Sequence, residues 1–287
     1  MSSVRLFLAF ILTLLLFAAA PRFSTKLAES RYYQASGHGI MIDHTSPGTV
    51  AVDPRIRVWV AVPSDSMQFQ LWLHYRRSGQ DNFDSLILMR NLETLDQYET
   101  SLPRLDRGAV YNYFVELRAQ QDTLTLRLPQ NPAQTVRVLF EGQPSLLLWA
   151  IHVALMFVAA MFAFSALFNA FGLRSYERNL KRLSRKVLIA GALMLIGTVT
   201  VGALISHARF GYFWGGWPFG GNASQTLMML LILYFLFLAV IFRGTIFGFN
   251  PDKNLVGVPG AVILTLVGVL FMIGVYLIGG HFIGIPL

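Results

Sequence analysis

Three histidines, His152, His207 and His281, stand within or at the ends of long apolar runs. Ionisable side chains at membrane depth are costly and face a bundle interior or a cavity, so each needs a partner. His152 is the most informative: Leu148-Trp149-Ala150-Ile151 precede it and Val153-Ala154-Leu155-Met156 follow. Two imidazoles from different helices suit the iron of a b-type haem, and three suit Cu or Zn. The competing reading is that each ring hydrogen-bonds a backbone carbonyl or caps a helix end. His207 and His281, at the interface, fit that second reading well. The chain has no Cys, which excludes a disulfide framework, thiolate metal sites, cysteine catalysis and covalent haem attachment.

The helices that position these rings are legible as apolar runs. Leu6–Ala20 follows a short basic start and ends in three alanines, as a signal peptide does. Pro21 would hinder cleavage there, so the expectation is a retained anchor over 1–22. Four further runs follow: Ser145–Leu173, Val187–Ser206, Leu227–Phe242 and Gly257–Gly279. About 20 residues suffice to cross a bilayer, and lipid offers the backbone no partners, so these runs predict helices. Gly191, Gly197 and Gly202 allow close packing of the third span, and Gly260, Gly268 and Gly274 that of the fifth.

Charge sets the expected orientation. Of 287 residues, 54% are hydrophobic and 13% charged, against about 25% charged in soluble domains. The deficit is local: Pro21–Gln143 carries 13 basic and 13 acidic residues, and the remainder 10 basic and 2 acidic. The net charge of +8 therefore belongs to the helix ends and does not point to nucleic acid. Arg174, Arg178, Lys181, Arg182, Arg185 and Lys186 fall in one short connection, a strong inside signal. Arg5, Arg243 and Lys253 agree. The N-terminus is then inside, and the segment 23–143, the loop from His207 to Gln225 and the C-terminus are outside. All three histidines fall toward the outer face, provided that the first turns of span two project outward from Pro144.

Residues from about 45 to 141 alternate with period two between turn residues. Arg55–Val62, Gln68–Tyr75, Leu86–Met89, Val110–Arg118, Thr123–Leu128 and Thr135–Phe140 predict strands, with turns at 78–81 and 119–122. About seven short strands in that length point to an all-β sandwich of immunoglobulin or fibronectin III type. The expected fold class is thus a membrane α-helical bundle of about five transmembrane helices plus an extracytoplasmic sandwich. Its domains are an anchor (1–22), a β domain (23–143) and a four-helix membrane domain (144–287). No catalytic constellation is apparent in the β domain. His38 and His44 read as polar-loop residues, and His74 falls on the strand face opposite Leu73 and Tyr75.

The outer loop, His207 to Asn222, has six aromatic residues and five glycines among sixteen. An interfacial aromatic belt is one reading. The other is a floor that folds over the histidines and suits a quinone ring, a haem edge or a neighbouring subunit. Its contact residues would be Arg209, Phe210, Gly211, Tyr212, Trp214, Gly216, Trp217, Pro218 and Gly220, with Arg209 meeting a carboxylate.

The run Phe210-Gly-Tyr-Phe-Trp-Gly-Gly-Trp-Pro-Phe-Gly220 resembles a Phe-Gly-x-Tyr-Trp-x-Gly-Trp-Pro-Phe-Gly motif in a family of bacterial polytopic membrane proteins. The resemblance extends to an outside fibronectin-like domain, a His early in span two and a His after the last span. It implies the bacterial cytoplasmic (inner) membrane and carries no activity with it. Where the family continues with two acids and a Lys, this chain reads Gly221-Asn-Ala-Ser-Gln-Thr226, and its end has Ile278-Gly-Gly-His281 rather than Ile-Pro-His-Ser.

Two functions fit these observations, both with lipid as surroundings and other membrane or periplasmic subunits as partners. The first is a non-catalytic anchoring subunit of a respiratory or electron-transfer complex, holding haem b, Cu or Zn through the histidines. The second is a cofactor-free docking protein that uses the β domain and the loop. A small enzyme acting on quinone or lipid ranks last, for want of an acid–base pair. Spans three and five contain no charged residue, which disfavours ion-coupled transport.

Overall fold

The computed structural model describes residues 2–23, 30–37, 39–50, 55–61, 68–94, 96–103, 106–119, 125–172, 176–248 and 250–278. The chain divides into two compact units. One comprises 1–27, 144–207 and 212–287, and the other 28–143 with 208–211.

The strand unit is built from β1 (Tyr32–Gly37), β2 (Ile40–Thr45), β3 (Thr49–Val50), β4 (Arg55–Ala61), β5 (Phe69–Arg77), β6 (Asp84–Ile87), β7 (Met89–Arg90), β8 (Gln97–Ser101), β9 (Val110–Ala119), β10 (Thr125–Leu128) and β11 (Val136–Phe140). They form a five-stranded sheet, β1-β2-β4-β8-β7, and a six-stranded sheet, β3-β11-β9-β5-β6, with β10 on β9. The alternation expected for β4 holds: Ile56, Val58 and Val60 are buried while Arg57, Trp59 and Ala61 face out. They share one core with Leu71, Leu73, Tyr113 and Val115 of the other sheet. Each such side chain contributes about 1.5–3 kcal/mol by leaving water.

The helical unit begins with α1 (Ser2–Phe23) and resumes after the strands with α2 (Leu146–Phe171) and α3 (Tyr176–Leu195). A π-helical segment (Ile196–Gly202) leads into α4 (Ala203–Phe210), and α5 (Ala223–Ile241), α6 (Arg243–Ile246) and α7 (Val258–Ile278) follow. Five helices are long and apolar enough to cross a membrane, the third running without a break over Asn179–Phe210. Their buried faces form one apolar cluster, including Ala159, Ala160, Ala163 and Ala166 of α2 and Phe235 of α5. Outward-facing Phe7, Leu15, Leu233, Phe237, Ile263 and Leu270 leave its outside apolar, as lipid requires.

The expected fold class needs correction. In place of a bundle of about five helices beside a seven-strand immunoglobulin- or fibronectin-type sandwich, the described chain has eleven strands in two sheets. Six α-helices lie C-terminal to those strands. The extra strands carry little sequence signal: β1 and β8 are mostly polar (Tyr-Tyr-Gln-Ala-Ser-Gly and Gln-Tyr-Glu-Thr-Ser) and show no apolar alternation. The extra helices arise where a span is subdivided or a connection coils. The basic run expected as a loop is helical from Tyr176, because Leu180, Leu183 and Val187 supply a buried stripe at helical spacing.

Candidate functional site

The helical unit contains a cavity of about 390 Å³, within the roughly 300–1,000 Å³ typical of small-molecule sites. It is lined by Phe17 and Ala20 of α1, by Trp149, His152, Val153 and Met156 of α2, and by Thr198 and Gly202 of the π segment. Ile205 of α4, Ser224, Gln225 and Met228 of α5, and Val275 and Tyr276 of α7 complete it.

His152 enters this cavity from the second turn of α2, whose start is capped by Ser145 Oγ accepting from the Leu148 amide at 3.3 Å. Opposite it, the π segment widens the backbone of span three, a feature frequent at functional sites. The Gly197 carbonyl lies 2.9 Å from His152 Nδ1. A carbonyl only accepts, so Nδ1 carries the proton and donates. Trp149 stands edge-on to the ring, with centroids 6.3 Å apart. A Cβ on Gly202 would lie 3.2 Å from the Gly197 oxygen and 3.6 Å from His152 Cε1, so the glycine makes room for this contact.

Most other polar groups on the wall are engaged. Tyr276 donates its hydroxyl proton to the Met156 carbonyl at 3.0 Å, and Thr198 Oγ1 reaches Met156 Sδ at 3.9 Å. Gln225 Oε1 accepts from the Gly215 amide, which fixes which end of that side chain is the oxygen.

Of the three histidines, His152 is the one that lines the cavity among the described residues. His207 is exposed on α4, stacks on Phe213 at 4.3 Å between centroids, and is not a wall residue of the cavity. His281 lies outside the described residues. Among the described residues no group of three His, Cys, Asp or Glu is placed to hold a metal. Besides Tyr276, whose hydroxyl donates to the Met156 carbonyl, Met156 is a further side-chain type on this wall that ligates haem iron. It sits one helical turn after His152 on the same face of α2, so the two cannot bind opposite sides of one haem.

The loop residues expected to act as one surface fall into two sets. Arg209 and Phe210 belong to the strand unit. There Arg209 Nη2 pairs with Glu141 Oε2 at 2.8 Å, and the Arg209 guanidinium lies over the Phe210 ring at 4.9 Å. Gly211 takes φ +80°, a conformation that favours glycine. The rest belongs to the helical unit. Trp214 Nε1 donates to the Trp217 carbonyl at 3.3 Å, and the Trp217 amide donates to Thr226 Oγ1 at 2.8 Å. Trp217–Pro218 is a cis bond. A Cβ on Gly216 would come within 2.9 Å of Gln225 Cβ, and Gly220 packs against the Gly215 carbonyl. The Tyr212 ring packs against Gly215. Phe213, Trp217 and Phe219 are exposed.

The strand unit holds two histidine arrangements that the sequence reading missed. His44 lies fully buried on β2, its Nδ1 2.6 Å from the Arg57 carbonyl and its Nε2 2.6 Å from the Tyr113 hydroxyl. Burial pushes its imidazole below the usual value, against the pull of the Arg57 carbonyl. His74 on β5 has Ser85 Oγ of β6 2.8 Å from Nδ1 and Glu116 Oε2 of β9 2.9 Å from Nε2. These are the residue types of a hydrolase triad. The Nε2–Glu116 approach is an ion-pair distance in which Nε2 makes no well-formed hydrogen bond, and both Glu116 oxygens are taken by Arg118 at 2.9 and 3.0 Å. Arg118 first, against the opposing effect of burial, holds the Glu116 carboxyl below its usual value. A carboxylate so neutralised is a poor partner for an imidazolium, so the arrangement reads as a cross-strand polar lattice. The turn centred on 78–81 pairs His74 with Ser85, and that register was available from the sequence.

No family model matches the chain, and no curated protein matches it.

Proposed function

We propose that the chain is a non-catalytic membrane subunit of a respiratory or other electron-transfer assembly, and that its helical unit holds a small lipophilic molecule at His152. The observation that carries this reading is the His152 cavity: mostly apolar walls, a ring fixed by one hydrogen bond, and a volume suited to a ligand. The basic cluster on α3 supports an orientation with the N-terminus inside and the strand unit and C-terminus outside. In that reading the membrane is the bacterial inner membrane, as in the proteins that share the loop motif.

Haem b, Cu or Zn remains a variant of the same proposal, with His152 as one ligand and His207 or His281 required as another. Extraction of the purified full chain with organic solvent, followed by mass spectrometry, should recover a lipophile in stoichiometric amount. A dithionite-minus-oxidised spectrum and metal analysis of the same sample separate the variants. Recovery of neither lipophile, haem nor metal from protein isolated in mild detergent would count against the reading.

A second reading, a cofactor-free docking protein, is favoured by the exposed rings of Trp217 and Phe219, 67% and 83% accessible. Replacing Trp214 and Trp217 by Ala should then release the chain from a native complex. Retention in the complex would remove the loop from the contact.

A further inference from the structure

We infer that the cavity selects a hydroxylated aromatic ring, of the hydroquinone class, whose hydroxyl donates to His152 Nε2. This rests on the cavity being a ligand site, as proposed above, and goes further by naming what the ligand must present.

His152 commits its Nδ1 proton to Gly197, and an uncharged imidazole protonated there carries a lone pair on Nε2. That nitrogen has no hydrogen-bond partner among the described residues. Gln225 commits its oxygen to the Gly215 amide, which leaves its side-chain NH2 as a donor with no partner among the described residues. Tyr276 and Thr198 already spend their hydroxyl protons on Met156. The wall therefore presents acceptors, His152 Nε2 first and the remaining lone pairs of the Tyr276 and Thr198 hydroxyls beside it, together with the Gln225 NH2 as a donor. A ligand that satisfies His152 and Gln225 carries a hydroxyl for the first and an oxygen acceptor for the second. Leaving either unmatched in an apolar site costs the desolvation of that group.

Shape and chemistry of the rest of the wall narrow the class. Phe17, Val153, Met228 and Val275 are apolar and Trp149 is aromatic, which suits a flat ring. A hydroxyl and a second ring oxygen on such a body describe a hydroquinone, and its lipid-soluble forms are available from the bilayer. Its quinone offers acceptors alone and leaves Nε2 without a donor.

The test uses the full chain in lipid nanodiscs, with tryptophan fluorescence as the binding signal. Three probes are compared: a short-tailed alkyl hydroquinone kept reduced, its quinone, and its dimethyl ether, which has the same ring and no donor. The hydroquinone should bind about tenfold more tightly than the ether, the worth of one hydrogen bond in a dry site. His152→Leu should abolish that preference while the ether still binds. Equal binding of hydroquinone and ether, or tighter binding of the quinone, overturns the inference and leaves the cavity a ligand site. No binding of any of the three overturns the inference and the ligand-site reading together. Because the hydroquinone–ether comparison is made in the wild-type chain, it does not depend on the variant folding.

Discussion

His152 donates its Nδ1 proton to the Gly197 carbonyl, 2.9 Å away, joining the second turn of α2 to the π-helical segment of span three. The bond fixes the ring's tautomer and its orientation toward the cavity. Hydrogen bonds between membrane helices average about 0.6 kcal/mol and reach about 1.7. His152→Leu should therefore lower the stability of the helical unit by about 0.5–1.5 kcal/mol, read from unfolding in mixed micelles. His152→Asn offers a shorter donor and should recover part of the loss.

The glycine beside this bond should be sensitive to one methyl group. A Cβ at position 202 would lie 3.2 Å from the Gly197 oxygen and 3.6 Å from His152 Cε1. The carbonyl is backbone and cannot swing away as a side chain would. Gly202→Ala should shift the His152 ring off Gly197, visible as a changed nitrogen chemical shift for Nδ1. The strand unit's unfolding should be unaltered, and an unchanged nitrogen spectrum would show that the contact tolerates the methyl.

What the sequence disclosed, and what it hid, follows from how far apart the interacting residues lie. An ionisable ring in an apolar run marked His152 directly. Its acceptor was hidden, because Gly197 reads equally well, with Gly191 and Gly202, as a small residue for close helix packing. Nothing local distinguishes a π segment from an α-helix there. His207 looked level with His152 on the span boundaries, but span three continues to Phe210 and the His207 ring stacks on Phe213. In the strand unit, Asp43-His44-Thr45-Ser46 reads as a loop by composition. Yet Ile40, Ile42 and His44 share the period of two, and all three are buried. The segment is polar by composition and periodic by spacing, and the fold obeys the periodicity. The Glu116 contact to His74 joins strands 42 residues apart in sequence, and only the sheet order brings them together.

Acid should destabilise the strand unit through its buried histidines. Burial holds His44 below its ordinary value of 6.5, and burial, outweighing the pull of Glu116, does the same for His74. The unfolded chain then binds more protons than the folded one just below that value, so stability rises with pH. It is fully present above about 6.5 and declines as pH falls toward the depressed folded values. Glu116, held low mainly by Arg118, adds a further loss below its ordinary value of 4.5. Chemical unfolding followed by the sheet circular-dichroism band between pH 8 and 5 should show this slope. His44→Gln should reduce the slope, and His44→Gln with His74→Gln should reduce it again. An unreduced slope in the single variant would clear His44 of the effect.

The pairing of Arg209 with Glu141 should be worth more than an ordinary surface ion pair. Both side chains are largely shielded, 20% and 15% accessible, and two guanidinium nitrogens converge on Oε2 of Glu141 at 2.8 and 3.3 Å. Exposed pairs contribute about 0–1 kcal/mol, whereas removing one partner of a buried pair costs about 3–5. The intermediate burial here predicts a loss of about 1–2 kcal/mol for Arg209→Leu, because Glu141 keeps its charge and its poor solvation. Arg209→Lys preserves the charge and gives up the forked contact, so its loss should be smaller. Arg209→Leu combined with Glu141→Leu removes the uncompensated carboxylate and should restore most of the stability. If the double variant is as unstable as Arg209→Leu alone, the loss comes from packing against Phe210, where the guanidinium also lies, and not from the ion pair.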